Sequence, residues 1–307
     1  MPYNETMEII SVVPRGYCQG VVRAILKAKE TAQKYPDIPV TMLGMIVHNR
    51  FVVDECQRMG IRFVEDPKKT RLELLDEIDE GVVIFTAHGV SDAVRQKAEE
   101  KGLIIVDATC PDVIVTHDIV RSHAKTGDVI YIGKKNHPES EGTVGLGDHV
   151  HLVTCIEDLD DLPEMHDILI TNQTTLSLID VQEIIDACLE RWPDAKVSKE
   201  ICNATRIRQE AVMNLKDTDC LIVVGDPRSN NSNQLKEIGT KAGIQETYLI
   251  DSVLSLNEDM IRNKNRIAVT SGSSTPNSLT AQVISFLEDY AETGIFSLPK
   301  EVSSSLL

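Results

Sequence analysis

Asp107-Ala108-Thr109-Cys110-Pro111-Asp112-Val113-Ile114-Val115 decides the architecture of this chain. The apolar run Leu103 to Val106 before it reads as a short buried strand. Pro111 suits the first turn of a helix. A thiol therefore stands where a strand hands over to a helix. The arrangement recurs on both sides, because Cys18 and Cys202 each lie 92 residues from Cys110. Cys18 leads Gly20-Val21-Val22-Arg23-Ala24-Ile25-Leu26, and Cys202 leads Asn203-Ala204-Thr205-Arg206-Ile207-Arg208. Both segments read as helices. Two apolar, β-branched runs then follow each helix, and each run ends in a polar loop. Val40 to Val47 reaches His48-Asn49, and Val82 to Phe85 reaches Ala87-His88-Gly89. Val129 to Ile132 reaches Asn136-His137-Pro138-Glu139, and Ile168 to Ile170 reaches Gln173-Thr174-Thr175. Leu221 to Val224 reaches Ser229-Asn230-Asn231-Ser232, and Ile267 to Val269 reaches Gly272-Ser273-Ser274.

Short buried strands alternating with helices predict an α/β fold with mainly parallel sheets. The repeat predicts three similar units with pseudo-threefold symmetry around a central cluster of thiols. Their expected bounds are 17–109, 110–200 and 201–290. The strand in 7–16 is expected to complete the third unit, and 291–307 to be a C-terminal tail, frayed at Glu301 to Ser305. In such sheets ligands sit beyond the carboxyl ends of the strands.

Composition narrows the function. The formal net charge is −17 over 307 residues. That repels nucleic acid and anionic membrane surfaces, so neither is an expected partner. No apolar run is long enough to cross a bilayer, and MPYNETMEII does not resemble a signal peptide. A cytoplasmic location with reduced thiols is expected. No two of the seven cysteines form CxxC. That argues against zinc fingers and thioredoxin chemistry. Neither a phosphate-binding GxxxxGK[ST] loop nor a dinucleotide fingerprint occurs.

A helix N-terminus favours thiolate, so Cys18, Cys110 and Cys202 suit metal ligation. Three thiolates would leave one iron of a [4Fe-4S] cluster open, able to act as a Lewis acid and to pass electrons. Cys56, Cys155, Cys188 and Cys220 lack the pattern and read as core. His48, His88 and His137 end strands in matched loops and can donate to phosphate. Ser229, Asn231 and Ser274 hold the equivalent places in the last third, making an anion cradle without Lys or Arg. Glu139 could serve there as a protonated acid or a hydrogen-bonded base. Thr175 or Ser177 reads as a helix cap. His117, His123, His149, His151 and His166 fit no repeat and read mostly as surface residues. Three rival readings remain. A non-catalytic iron–sulfur redox or iron sensor needs the cysteines but not Glu139 and the anion donors. A cysteine phosphoesterase needs five residues between Cys and Arg, and only four separate Cys18 from Arg23. A zinc hydrolase with Cys and His ligands is the third.

The motifs also resemble a known family. Pro14-Arg15-Gly16-Tyr17-Cys18, His48-Asn49-Arg50, Ala87-His88-Gly89-Val90-Ser91, Asp107-Ala108-Thr109-Cys110-Pro111 and His137-Pro138-Glu139 all match it, in order. So do Gln173-Thr174-Thr175-Leu176-Ser177, Ile201-Cys202, Ser229-x-Asn231-Ser232-Asn233 and Gly272-x-Ser274-x-Pro276. The chain resembles the 4-hydroxy-3-methylbut-2-enyl diphosphate reductases of the methylerythritol phosphate route to isoprenoids. The resemblance implies an iron–sulfur cluster on Cys18, Cys110 and Cys202, whose open iron meets the substrate hydroxyl. It implies reductive dehydroxylation of an allylic diphosphate to isopentenyl and dimethylallyl diphosphate, with electrons from a ferredoxin or flavodoxin type donor. It places the diphosphate on His48, His88, His137, Ser229, Asn230, Asn231 and Ser274. Glu139 would deliver protons, and Thr174 would orient the hydroxyl. Asn230 stands where the family usually has Ser, so an altered diphosphate contact is expected; Tyr17 and Gln19 also depart from the commonest residues and, flanking a ligand, could tune access or potential.

Overall fold

The computed structural model describes residues 7–302. Residues 1–6 of the start, and 303–307 of the expected tail, lie outside the described residues. The chain opens with β1 (Glu8–Ser11), α1 (Gln19–Lys34), β2 (Val40–Leu43), α2 (Arg50–Arg58) and β3 (Arg62–Val64). Next come α3 (Arg71–Leu74), β4 (Val82–Phe85), α4 (Asp92–Glu100), β5 (Ile104–Asp107) and α5 (Pro111–His123). The middle continues with β6 (Val129–Ile132), α6 (Pro138–Val144), β7 (Val150–Val153), β8 (Leu169–Asn172), α7 (Leu178–Arg191) and β9 (Lys196–Val197). It finishes with α8 (Asn203–Met213), β10 (Cys220–Val224), α9 (Asn230–Lys241), β11 (Glu246–Ile250), α10 (Glu258–Ile261), β12 (Arg266–Ser271) and α11 (Asn277–Thr293).

Three four-stranded sheets result, in the orders β1-β12-β10-β11, β3-β2-β4-β5 and β7-β6-β8-β9. Every strand pairing described is parallel. β1 pairs with β12, Ile9 opposite Ile267, so the first strand lies in the sheet of the last third. Among the described residues, those within 1–19, 48–52 and 203–307 form one compact unit, and those within 20–47 and 53–202 form another. The first unit holds the β10 sheet and the second holds the other two.

The central strands β2, β4, β6, β8 and β10 are buried along their whole length. Helices cover both faces of such sheets, so both faces must be apolar. In β6, Ile130 and Ile132 pack with Val181 and Ile185 of α7. Its alternate residues, Val129 and Tyr131, pack with Val120 of α5. β10 divides likewise: Ile222 and Val224 meet Leu279 and Val283 of α11, while Leu221 and Val223 meet Leu235 and Ile238 of α9. Period-two alternation thus feeds two cores per sheet.

Two expectations need correction. Cys155 is exposed, not core. It is the residue before a short 3-10 turn, where its N–H donates to Asp158 Oδ2 at 3.2 Å. His117 is buried, not superficial. It packs under Gly89, whose φ of +76° brings the backbone so close that a Cβ there would meet His117 Cε1 at 2.8 Å. Burial pushes the His117 imidazole down to about 4.

Candidate active site

The residues marked by the repeat fall into two sets, one in each unit. In the second unit the framework is the row of polar loops after β4, β6 and β8. Cys110 caps α5 and is tied by its N–H to Ala87 O, 3.0 Å away in the loop after β4. Cys202 is tied in the same way to Thr174 O, 3.1 Å away in the loop after β8. Both cysteines thus stand at strand ends, each heading a helix.

Glu139 is the second residue of α6 and is 2% exposed. Its Oε1 accepts the Thr174 N–H at 2.7 Å. Burial pushes its carboxyl up to about 7, and the Asp112 carboxylate acts in the same direction. The Thr174 N–H and hydroxyl oppose the rise without cancelling it. An acid with a pKa near neutrality can both hold and release a proton, which general acid catalysis requires.

His137 caps α6, and its Nδ1 accepts the Glu139 N–H at 3.2 Å. The Gln173 amide reaches the same nitrogen at 3.2 Å. Gln173 Oε1 accepts from Lys134 N at 2.9 Å and Ser140 Oγ at 3.1 Å, which fixes Nε2 as the atom facing His137. A nitrogen accepting an amide proton carries none itself, so the His137 proton resides on Nε2. The ring becomes a donor toward an anion. His88, after β4, sets its ring edge-on to His137 with centroids 5.5 Å apart. Thr86 Oγ1 lies 3.2 Å from His88 Nδ1. Thr175 accepts from Gln173 Nε2 at 3.2 Å, and the cap of α7 is Ser177.

In the first unit the matching framework is the loops after β10 and β12. Ser229 caps α9, accepting the Ser232 N–H at 3.3 Å. Ser274 Oγ lies 3.3 Å from Ser229 Oγ and 3.1 Å from the His48 carbonyl. Asn231 Oδ1 accepts the Ser273 N–H at 2.9 Å, and its amide donates to Thr205 Oγ1 at 3.2 Å. Cys18 N–H donates to Ser273 O at 3.1 Å. Cys18, His48, Ser229, Asn231 and Ser274 are thus brought together, with Asn230 buried beside them as the first residue of α9. The first N–H groups of this 12-residue helix favour an anion. Gly16, two residues before Cys18, has φ +71° and leaves room for the Asn277 side chain, which any Cβ would overlap.

Sequence reasoning assigned no role to Gln173, Thr86 or Ser273. Each is a neighbour of a marked residue, and its work is visible only through contacts across strands. The cysteines divide sharply. Cys18, Cys110 and Cys202 are half-buried at helix starts. Burial pushes the thiols of Cys56 and Cys188 up to about 11, and that of Cys220 to about 12, which makes them poor ligands. The three half-buried thiols, with backbone N–H groups anchored to strand-end carbonyls, fit an iron–sulfur cluster by donor type.

Parallel α/β sheets, helix-leading thiols and a buried titratable carboxyl define a redox-capable α/β enzyme scaffold with an anion cradle. The sequence model of the LytB protein family matches residues 9–288. The chain belongs to the LytB family. It is 50% identical over 293 residues to a 4-hydroxy-3-methylbut-2-enyl diphosphate reductase of Brevibacillus brevis, covering 93% of each chain. It is 48% identical to the Symbiobacterium thermophilum protein of that name, covering 92% of this chain and 98% of that one. A solved structure of the E-1-hydroxy-2-methyl-but-2-enyl-4-diphosphate reductase from Plasmodium falciparum superposes with a TM-score of 0.87 at 31% identity, covering 98% of this chain and 95% of that one.

Proposed function

We propose that this chain is a 4-hydroxy-3-methylbut-2-enyl diphosphate reductase. The reaction adds two electrons and two protons to the allylic alcohol, breaks its C–O bond and releases water. The products are isopentenyl and dimethylallyl diphosphate. The observation that carries the reading is Glu139: a fully buried carboxyl held at neutrality beside Thr174 has no structural need to be an acid.

Cys18, Cys110 and Cys202 would hold a [4Fe-4S] cluster. When bound, the cluster supplies the electrons and a Lewis-acidic iron. The rest is the work of the chain's own residues. His48, His88, His137, Ser229, Asn230, Asn231 and Ser274 would take the diphosphate. The Nε2–H of His137 and the N–H groups opening α9 supply donors without bringing in a mobile cation. Glu139, protonated near neutral pH, would donate to the departing hydroxyl, with the Thr174 hydroxyl orienting it. The electrons would come from a ferredoxin or flavodoxin type protein. Three α/β units, 17–109, 110–200 and 201–290 with strand 7–16 added, would each contribute one thiol. A cytoplasmic location would keep these thiols reduced and available to the cluster.

The test is anaerobic turnover of the allylic diphosphate with a one-electron reductant, the products read by mass spectrometry. Formation of both isomers is expected. A protein that assembles its cluster and binds substrate yet yields neither product would overturn the proposal.

A further inference from the structure

Arg71 is the first residue of α3, and its side chain is 7% exposed. A guanidinium so deeply buried calls for strong partners. Glu141 supplies one, accepting the Arg71 backbone N–H at 2.7 Å and lying 3.8 Å from Nη1. Glu65 adds a second negative charge nearby, and together the two carboxylates oppose the lowering of the guanidinium pKa by burial. The remaining arm points at the candidate site. Arg71 Nη2 lies 3.4 Å from Thr86 Oγ1, and Thr86 is fully buried at the end of β4.

The direction of the Arg71–Thr86 hydrogen bond follows from chemistry. Guanidinium nitrogens only donate, so Thr86 Oγ1 accepts from Arg71. Thr86 Oγ1 still has its own proton to give, and His88 Nδ1 lies 3.2 Å away, within reach of it. With the hydroxyl donating there, Nδ1 holds no proton and the His88 proton resides on Nε2. His137 reaches the same tautomer through Glu139 N and Gln173. Two edge-on rings in one unit are therefore set identically by different devices.

We propose that Arg71 is a positioning residue which, through Thr86, locks His88 in its Nε2–H tautomer and fixes its ring as a donor to the substrate diphosphate. The inference rests on the reading of His88 as a diphosphate ligand. Arg71 also grips Glu141, two residues beyond Glu139 on α6, so one buried cation braces the supports of both histidines.

The experiment is nitrogen-15 NMR of the histidine rings in the intact protein, with inorganic pyrophosphate as the probe, joined to steady-state kinetics. Wild type should show His88 with an unprotonated Nδ1. Thr86→Val keeps the shape and the Arg71–Glu141 pair but deletes the hydroxyl. It should mix the His88 tautomers and raise KM about tenfold, with kcat changed by less than about twofold. Thr86→Ser should restore both, and Arg71→Met should reproduce the Thr86→Val spectrum. Glu141→Gln, which weakens only the ion pair, should leave the tautomer alone. A proton on His88 Nδ1 in wild type, or a Thr86→Val protein with unchanged tautomer and KM, would overturn the proposal. If the lock behaves as described but pyrophosphate leaves the His88 resonances untouched, the lock stands and the diphosphate reading of His88 falls.

Discussion

Replacing Glu139 by Gln tests the buried acid directly. In the folded chain the Glu139 carboxyl titrates at about 7, against an ordinary value of 4.5. The gap corresponds to about 3 kcal/mol at about 1.4 kcal/mol per pKa unit. Below 4.5 both the folded and unfolded forms are protonated, and no penalty exists. Between 4.5 and about 7 the unfolded chain releases the proton while the folded chain keeps it, so wild-type stability falls as pH rises. Above that window the penalty is constant. Gln cannot ionise, and its carbonyl oxygen can still accept the Thr174 N–H. The Glu139→Gln protein should therefore gain on wild type by up to about 3 kcal/mol between about pH 4 and pH 8. Urea unfolding across that range, followed by the fluorescence of the single tryptophan, Trp192, measures the difference. Turnover should meanwhile drop by about 10²- to 10⁴-fold with cluster content unchanged, the usual worth of a positioned proton donor. A stability difference that stays flat with pH would refute the raised pKa. Normal turnover in Glu139→Gln would refute the acid role.

Three further outcomes are expected. Cys202→Ser should lose or degrade the cluster, whereas Cys188→Ala, at a thiol pushed up to about 11 in the core, should keep it; iron and sulfide analysis separates the two. Ser229→Ala removes the cap of α9, costing about 1 kcal/mol in urea unfolding, and should raise KM through the neighbouring Ser274. At Asp128, burial raises the carboxyl pKa, but His166 N–H, His151 and His149 outweigh it and bring it down to about 2 from 3.8. That depressed carboxylate contributes about 2 kcal/mol above 3.8 and loses it as pH falls toward about 2, so Asp128→Asn should flatten the acid limb of the unfolding curve.

The architecture was legible because two periodicities agree. Apolar runs such as Val129 to Ile132 alternate with helical segments, and the spacing of Cys18, Cys110 and Cys202 repeats the unit. The place of the first strand in the last sheet was legible too, since by the repeat a strand precedes each leading cysteine, and β1 pairs with β12. The placement of the marked residues was readable for the same reason: they fall in the segments that follow the strands. What was not readable depends on contacts between loops. His149, His151 and His166 look like scattered surface residues, yet all three rings reach one buried carboxylate, Asp128, at 3.0 to 3.2 Å. Their convergence depends on β6 pairing with both β7 and β8, which no local pattern encodes. Cys155 was misplaced for the opposite reason. Its lack of the repeat pattern suggested a core residue, but the segment turns at the surface to satisfy its N–H groups with Asp158.

Arg71, Arg208 and Arg228, which lie among the site segments, are engaged in bracing the scaffold. Arg208 donates to Gly16 O at 2.7 Å and Ala204 O at 2.8 Å, fixing the turn before Cys18. Arg228 forks onto Asp226 at 3.0 and 2.8 Å, and Asp226 in turn receives the Arg50 N–H at 2.9 Å, next to His48-Asn49. Arg71 braces Glu141 and Thr86. The residues proposed for the diphosphate would bind it with neutral donors: imidazole N–H, hydroxyl, amide and helix N–H. In a chain of net charge −17 this division has a physical logic. A guanidinium at the reacting end would hold Glu139 ionised, because an opposite charge within about 4–6 Å favours the carboxylate. Neutral donors can bind a diphosphate while leaving the buried carboxyl its proton. Arg71, in the same unit as Glu139, is tied to Glu141 and Thr86 instead, and the buried Glu139 carboxyl keeps the raised pKa that burial gives it.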